Sequence, residues 1–443
     1  MTSFQIDDKE DMSPEIAEQF LKDLFTVAVK AATPDFDKFI AHFPTPPTGK
    51  IIVLGAGKAA ASMAKSFEKT AKKRWSEIDY QRLSGLVITR YQHGVECEKI
   101  AVVEASHPVP DEAGATATQQ MLEMVRDLTP EDLVVCLISG GGSALLTVPA
   151  DGITFKEKKA INQQLLSCGA SISEMNCVRK HLSKIKGGRF AQCCAPAKVL
   201  TFVISDVPGD DPSVIASGPT LPDDTTCSDA IEIIQKYGIE LPSDILKRLI
   251  NGELETPKKT NPIFQEATQP IVMGTANQSL QAAKDFAQQH GVHTLILSDC
   301  IEGEASEVGK VLGAIALGFS KMEDHAISKP ILLLSGGETS VTVKGNGRGG
   351  RNAEFLLSLT QTLQANPTIY ALAADTDGID GSEDNAGAIT TPYTLEKAKD
   401  KGLSIKDFMV RNDAYTYFQE VDGLIKTGPT RTNVNDFRAI LIL

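Results

Sequence analysis

The chain has 443 residues, 42% hydrophobic and 23% charged, an ordinary globular composition long enough for two cores. Lysine and arginine number 44 against 57 aspartates and glutamates, and the resulting formal net charge of −13 excludes a non-specific binder of nucleic acid or anionic membrane. An anionic substrate would need a local cluster of cations to reverse that field.

The first eleven residues carry Asp7, Asp8, Glu10 and Asp11, without the basic start and apolar run of a signal peptide. Apolar runs elsewhere fall far short of the roughly 20 residues that span a bilayer, so a cytoplasmic location is expected. The eight cysteines form no CxxC and the seven histidines no HxxxH or HExxH, which argues against a disulfide framework or a structural zinc site.

Residues 14–32 predict a helix, with Ser13 as cap, Pro14 in its first turn, and Ile16, Phe20, Leu24 and Val27 as an apolar stripe. The apolar run 51–54 predicts a buried parallel strand that enters a tight turn at Gly55-Ala56-Gly57. Strands follow at 86–89, 100–103 and 133–139, with a helix over 111–128 between the last two. This alternation indicates a doubly wound sheet. Residues 206–225, dense in Asp, Pro, Gly and Thr, predict an ordered functional loop, and 251–270 is the linker candidate. A second alternating series begins at Ile271, with a helix over 276–290 and strands at 292–297, 331–335, 369–374 and 439–443. Two α/β domains are therefore expected, over residues 1–255 and 268–443.

In open α/β sheets ligands collect at the carboxyl ends of strands, and here those ends are rich in glycine and charge. Gly55-Ala56-Gly57-Lys58 offers a sharply bent backbone and a cation. It lacks the Walker A Ser or Thr but fits the looser G-x-G-x-x-A dinucleotide pattern, whose acidic partner is replaced by Arg90 at the end of the next strand. Ser139-Gly140-Gly141-Gly142-Ser143 exposes N–H groups with no Cβ atoms to obstruct a phosphate or carboxylate. Ser335-Gly336-Gly337-Glu338 repeats that pattern. The stretch 176–189 gathers Arg179, Lys180, Lys184 and Lys186 around an apolar stripe of Val178, Leu182 and Ile185, the strongest positive cluster in the chain. Asp206 and, later, Asp375 and Asp377 place carboxylates at strand ends, where Mg²⁺ or a substrate hydroxyl would need them, although an Asx turn would use an aspartate equally well. Arg351 follows four nearby glycines at a helix start, where its planar fork suits a carboxylate or phosphate.

Taken together, GAGKA, SGGGSALL, NCVRKHLSKIKGGR, SDVPGDDPSVIASGPT, SGGETSVTVKGNGRGGRNAE and DTDGIDG resemble the class II glycerate kinases, and the C-terminal part resembles their MOFRL domain. The resemblance runs in the same order along nearly the whole chain. It implies a Rossmann-like N-terminal domain, a C-terminal α/β domain and an active site in the cleft between them. It also implies an ATP- and Mg²⁺-dependent kinase that phosphorylates the 2-hydroxyl of D-glycerate. Lys58, Arg351 and an aspartate among Asp206, Asp375 and Asp377 would carry the functional positions. The glycine loops, with Arg179, Lys184 and Glu338, would bind substrate and nucleotide, and Asp206 and Asp375 the metal. An NAD(P)-dependent hydroxypyruvate reductase is the rival reading, and a homodimer stays open.

Overall fold

The computed structural model describes residues 12–207, 209–265, 269–322 and 328–443. The acidic start at Asp7 to Asp11, Pro208 of the aspartate loop and residues 266–268 of the linker candidate lie outside the described residues. The helix Pro14–Ala32 begins as its sequence dictates, with the Ser13 hydroxyl accepting from the Ile16 N–H and Phe20, Leu24 and Ala28 on its buried face. That face does not join the sheet that follows it in the chain. It packs on the helix Ala276–Gln289, where Ser279 Oγ donates to the Ala28 carbonyl at 2.8 Å, and Thr432 Oγ1 donates to the Ala32 carbonyl at 2.6 Å.

The chain accordingly divides into one unit of Pro34–Met273 and another of residues up to Thr33 with Gly274–Leu443. This differs from the expected division at 1–255 and 268–443 at both ends. The first helix has an apolar stripe that only the second sheet's core accommodates. The linker candidate is tied to the Pro34–Met273 unit through Thr256 Oγ1 on Asp223 at 3.0 Å and through Glu255 Oε2, which accepts from the Cys227 N–H at 3.0 Å.

In the Pro34–Met273 unit, β1 (Ile51–Ala56), β2 (Leu83–Arg90), β3 (Ile100–Ala105), β4 (Leu133–Ile138), β5 (Lys198–Ile204) and β6 (Ile271–Gly274) form one sheet in the order β3-β2-β1-β4-β5-β6. β1 pairs in parallel with both β2 and β4, and both β1 and β4 are buried along their whole length, which accounts for their continuous apolar runs. Ala117 and Met121 of the helix Glu112–Met124 cover one face over Ile52, Leu54 and Val134. An aromatic cluster covers the other, with the Phe36 ring 5.3 Å from Phe67 and 4.8 Å from Phe202. The order reverses between β1 and β4, and the carboxyl side of such a reversal is where doubly wound sheets bind ligands.

The other unit holds β7 (His293–Glu304), β8 (Ile331–Ser340), β9 (Ile369–Asp375), β10 (Gly387–Thr390), β11 (Leu424–Ile425) and β12 (Asp436–Ile442) in the order β11-β10-β9-β12-β8-β7. Only β7 and β8 run parallel; the other four pairs are antiparallel. Helices cover both faces, Pro14–Ala32 and Ala276–Gln289 on one, Ala305–Ser320 and Arg351–Leu363 on the other. No described helix is long and apolar enough to cross a membrane.

Gly336 and Gly337, expected in a ligand-binding loop after a strand, lie inside β8 and are flanked by β12 and β7. At Gly337 glycine is required by packing. Gly337 adopts φ +119°, and a Cβ on it would lie 2.2 Å from the Ile301 carbonyl oxygen, at an irregularity of β7. Gly337→Ala should therefore lower unfolding stability by at least about 2 kcal/mol through backbone strain and displacement of β7. A urea titration would show a lower midpoint at unchanged slope; an unchanged midpoint would mean that β7 yields freely.

Candidate functional site

At the reversal of strand order, the loops after β1 and β4 are bonded to each other. The Lys58 N–H donates to the Gly140 carbonyl at 2.8 Å, and the Ser139 N–H to the Ala56 carbonyl at 3.1 Å. Ser139 Oγ accepts from the Ala59 N–H at 3.0 Å, so this serine braces the β1 turn. Gly57 holds φ +138°, and a Cβ there would sit 2.1 Å from that Oγ. Beyond it, a Cβ on Gly141 would come within 3.1 Å of the His107 ring and 3.4 Å of Lys58 Cγ, which puts the glycine loop, Lys58 and His107 side by side.

The loop is held from behind by Ser217 and Asn176, which sequence reasoning did not single out. Ser143 Oγ shares a 2.7 Å hydrogen bond with Ser217 Oγ, and Ser217 Oγ donates to Asn176 Oδ1 at 3.2 Å. Ala216 and Ser217 adopt φ +52° and +60°, a left-handed conformation unfavourable for side-chain-bearing residues. The Gly187 N–H on the Ser217 carbonyl at 3.0 Å helps to hold them. Ser217 and Asn176 lie within the family-like strings, but nothing in their residue types marked them apart from their neighbours.

The basic stretch separates into groups with different environments. The expected stripe of Val178, Leu182 and Ile185 is buried. The helix, however, spans only Ile172–His181, and the chain then turns so that Lys186 runs inward instead of onto a solvated face. Its Nζ donates to the Ser143 carbonyl at 2.7 Å. Arg179 Nε donates to Asn162 Oδ1 at 2.7 Å, and Lys158, which sequence reasoning missed, donates from Nζ to the Val148 carbonyl at 3.1 Å. These three cations line one cavity of about 230 Å³ beside Gly141 and Ser143. Among the described residues, none of the three is ion-paired with a carboxylate. Burial pushes the Lys186 ammonium well below its usual range, with Lys158 and Arg179 adding to the effect. Burial, then Arg179, brings Lys158 down to about 7. Lys180 is instead buried against Asp223 at 3.2 Å, and Lys184 pairs with exposed Asp151 at 2.6 Å beside a different cavity.

Asp206 stands half-buried just past the carboxyl end of β5. In the same loop Asp211 Oδ1 accepts from the Ser213 N–H at 2.9 Å, an Asx turn.

In the other unit, Arg351 opens the helix Arg351–Leu363 with most of its donors committed. Nε bonds Asp436 Oδ1 at 2.7 Å, Nη2 bonds Asp375 Oδ2 at 2.7 Å, and Nη1 lies 3.4 Å from Glu338 Oε1. Burial would raise the Asp436 carboxyl, but Arg351 and the buried Arg438 outweigh it and hold it below the ordinary carboxylate range. Asp375 Oδ1 also accepts from the Asp377 N–H at 2.9 Å, and buried Asp377 accepts from the Ile379 N–H on its own Oδ1 at 2.8 Å, again a turn. Asp380 accepts from the Asn352 and Ala353 N–H groups, both at 2.9 Å, and so caps the helix. Asp436, Arg438 and Asp380 are organising residues that sequence reasoning did not assign. The structure thus brings Arg351, Asp375 and Glu338 together, while Asp377 is turned into its own loop.

The one group of three His, Cys, Asp or Glu side chains close enough to share an ion among the described residues is His181, Cys227 and Glu255. Lys258 already sits 2.6 Å from Glu255 Oε1, which disfavours a cation there.

A family model described as a domain of unknown function, DUF4147, matches residues 20–250, and the MOFRL family model matches residues 331–436. A D-glycerate 2-kinase of Thermotoga maritima is 38% identical over 89% of this chain and 91% of its own length. A protein of Agrobacterium vitis provisionally named hydroxypyruvate reductase is 47% identical over 96% of this chain and 94% of its own. The crystal structure of a glycerate kinase from Thermotoga maritima matches with a TM-score of 0.85 at 36% identity, covering 97% of this chain and 100% of that one. With both domain signatures in order and a full-length structural counterpart, the chain belongs to the glycerate 2-kinase family that joins a DUF4147 domain to a MOFRL domain.

Proposed function

We propose that the protein transfers the terminal phosphoryl group of ATP to the 2-hydroxyl of D-glycerate, giving 2-phosphoglycerate and ADP, as a cytoplasmic enzyme. The observation that carries this reading is the crevice at the reversal of strand order, where a glycine loop and Lys58 lie beside three cations with no carboxylate partners. Phosphoryl transfer asks a protein chiefly to position its reactants and neutralise charge. Family membership alongside a D-glycerate 2-kinase supports the choice of acceptor.

In this reading Lys58 neutralises charge on the transferring phosphoryl group. Arg351 reads the glycerate carboxylate through its Nη1 edge, which among the described residues makes a 3.4 Å contact to half-exposed Glu338. Asp377, buried in the turn after β9, would orient the hydroxyl. Mg²⁺ is commonly held by one or two carboxylates, with phosphate and water completing its shell. Asp206, half-buried at a strand end, and Asp375, which also bonds Arg351 and the Asp377 N–H, would hold it. Held there, the ion would neutralise charge on the phosphate oxygens.

The reductase reading draws on the Agrobacterium vitis relative and on the Rossmann-type strand order. Against it, β2 ends at Arg90, where a ribose-binding acid would be required. ADP release and NAD(P)H oxidation, followed in parallel with glycerate and hydroxypyruvate, separate the two. Glycerate-dependent ADP release with 2-phosphoglycerate as product is expected, and NAD(P)H oxidation without ADP release would overturn the kinase.

Lys58→Met should reduce kcat at least about a hundredfold with little change in melting temperature, in line with the loss of an electrostatic donor. Unchanged turnover would return Lys58 to a turn-forming role. Arg351→Lys should impair the enzyme mainly through KM for glycerate, because a point charge cannot reproduce a planar fork. A selective change in the KM for ATP would reassign Arg351 to the nucleotide.

A further inference from the structure

The cavity beside Gly141 and Ser143 combines two linings that one small acid does not need together. It is lined by Lys158, Arg179 and Lys186, which among the described residues bond neutral acceptors. It is also lined by apolar side chains: Pro108 and Pro110, Phe155, Leu165 and Leu166. Leu166 is 54% exposed, an apolar side chain left at the cavity wall without a protein partner to cover it. D-Glycerate has a carboxylate and two hydroxyls on three carbons, and no face that would benefit from such a wall. A nucleotide has an aromatic base on one end and a string of phosphates on the other.

We infer that this cavity seats the nucleoside triphosphate, its base against the Phe155, Leu165 and Leu166 wall and its phosphates on Lys158, Arg179 and Lys186. This rests on the kinase reading and deepens it by dividing the substrates, with the nucleotide assigned to the DUF4147 part of the chain. The geometry also sets a direction for the phosphates. Lys186 bonds the Ser143 carbonyl, and Gly141 in the same loop abuts Lys58, so the chain of cations leads along the glycine loop toward Lys58.

The energetics fit a ligand site better than a structural one. A buried ammonium without a carboxylate partner lowers the stability of the free protein, and an isosteric apolar side chain is often better tolerated. The depressed ionisation of Lys158 and Lys186 is the counterpart of that penalty, and a polyanion would relieve it. Groups kept at the expense of stability are characteristic of function.

The test uses the full-length protein and two variants, Lys158→Met and Leu166→Glu. The second alters an exposed position, so that folding is not at risk. Binding of MgATP is measured by calorimetry without glycerate, alongside steady-state KM values for both substrates. Each variant should weaken ATP binding at least about tenfold, the scale of a lost charge-assisted contact. KM for glycerate should stay within about twofold, and Lys158→Met should melt no lower than the parent. A shift confined to the KM for glycerate would assign the cavity to the acceptor and overturn the proposal. Unchanged ATP binding in both variants would overturn it as well. Failure of the kinase reading would appear separately, as a parent protein that binds MgATP at this cavity yet releases no ADP with glycerate.

Discussion

One buried carboxylate, Asp436, organises the C-terminal unit. It receives Arg351 Nε and Asn352 Nδ2 on Oδ1, and Arg438 and the Thr339 N–H on Oδ2. Its place at the start of β12 makes it the register partner of Gly337 in β8 and of Asp375 in β9. Arg351 can bridge Asp375 and Asp436 only because that antiparallel register sets the two carboxylates beside each other. Burying an ion is expensive unless its partners fill its bonding positions, and here donors from Arg351, Asn352, Thr339 and Arg438 do so. The start of the helix Arg351–Leu363, the orientation of Asp375 and the path of β8 all follow from satisfying this one charge.

The N-terminal unit treats buried charge in the opposite way. Lys180 and Asp223 form an ordinary buried pair, but Lys158, Arg179 and Lys186 are surrounded by carbonyls, an amide and apolar side chains. In a chain of net charge −13, carboxylates are plentiful, so their exclusion from this cavity is a property of the site. The two units thus differ in kind: one compensates its cations internally and presents a single arginine edge, while the other leaves cations for something else to compensate.

Much of this was legible in the sequence because it depends on local chemistry. Continuous apolar runs located β1 and β4, and Ser13, Pro14 and the stripe behind them located the first helix to its ends. The Gly57-Lys58 turn and the Gly140 to Gly142 loop were readable as strand ends, since both strands stop where apolarity stops. What escaped depended on partners distant in the chain. Gly336 and Gly337 look like a second copy of that loop, yet strands on both sides claim them, and only the approach of Ile301 reveals why residue Gly337 is glycine. The first helix joins a sheet that begins some 260 residues later, a choice that periodicity does not encode. Lys186 was expected on an outer face because the helix was extended past His181, and the turn that follows reverses its direction.

Several departures from local rules meet at one place. Ala216 and Ser217 are strained, Lys158 and Lys186 are desolvated without counter-ions, and Leu166 is apolar and exposed. Elsewhere in the same unit, strands, caps and core agree with one another: Ser171 and Thr226 form capping boxes, and β1 and β4 are wholly buried. A sequence that specifies one structure is consistent across levels, and it tolerates inconsistency where another requirement intrudes. Ser217 links the two kinds of exception. Its hydroxyl holds Ser143, whose carbonyl in turn holds Lys186, so the backbone strain at Ser217 fixes the position of a cation that the fold itself leaves uncompensated.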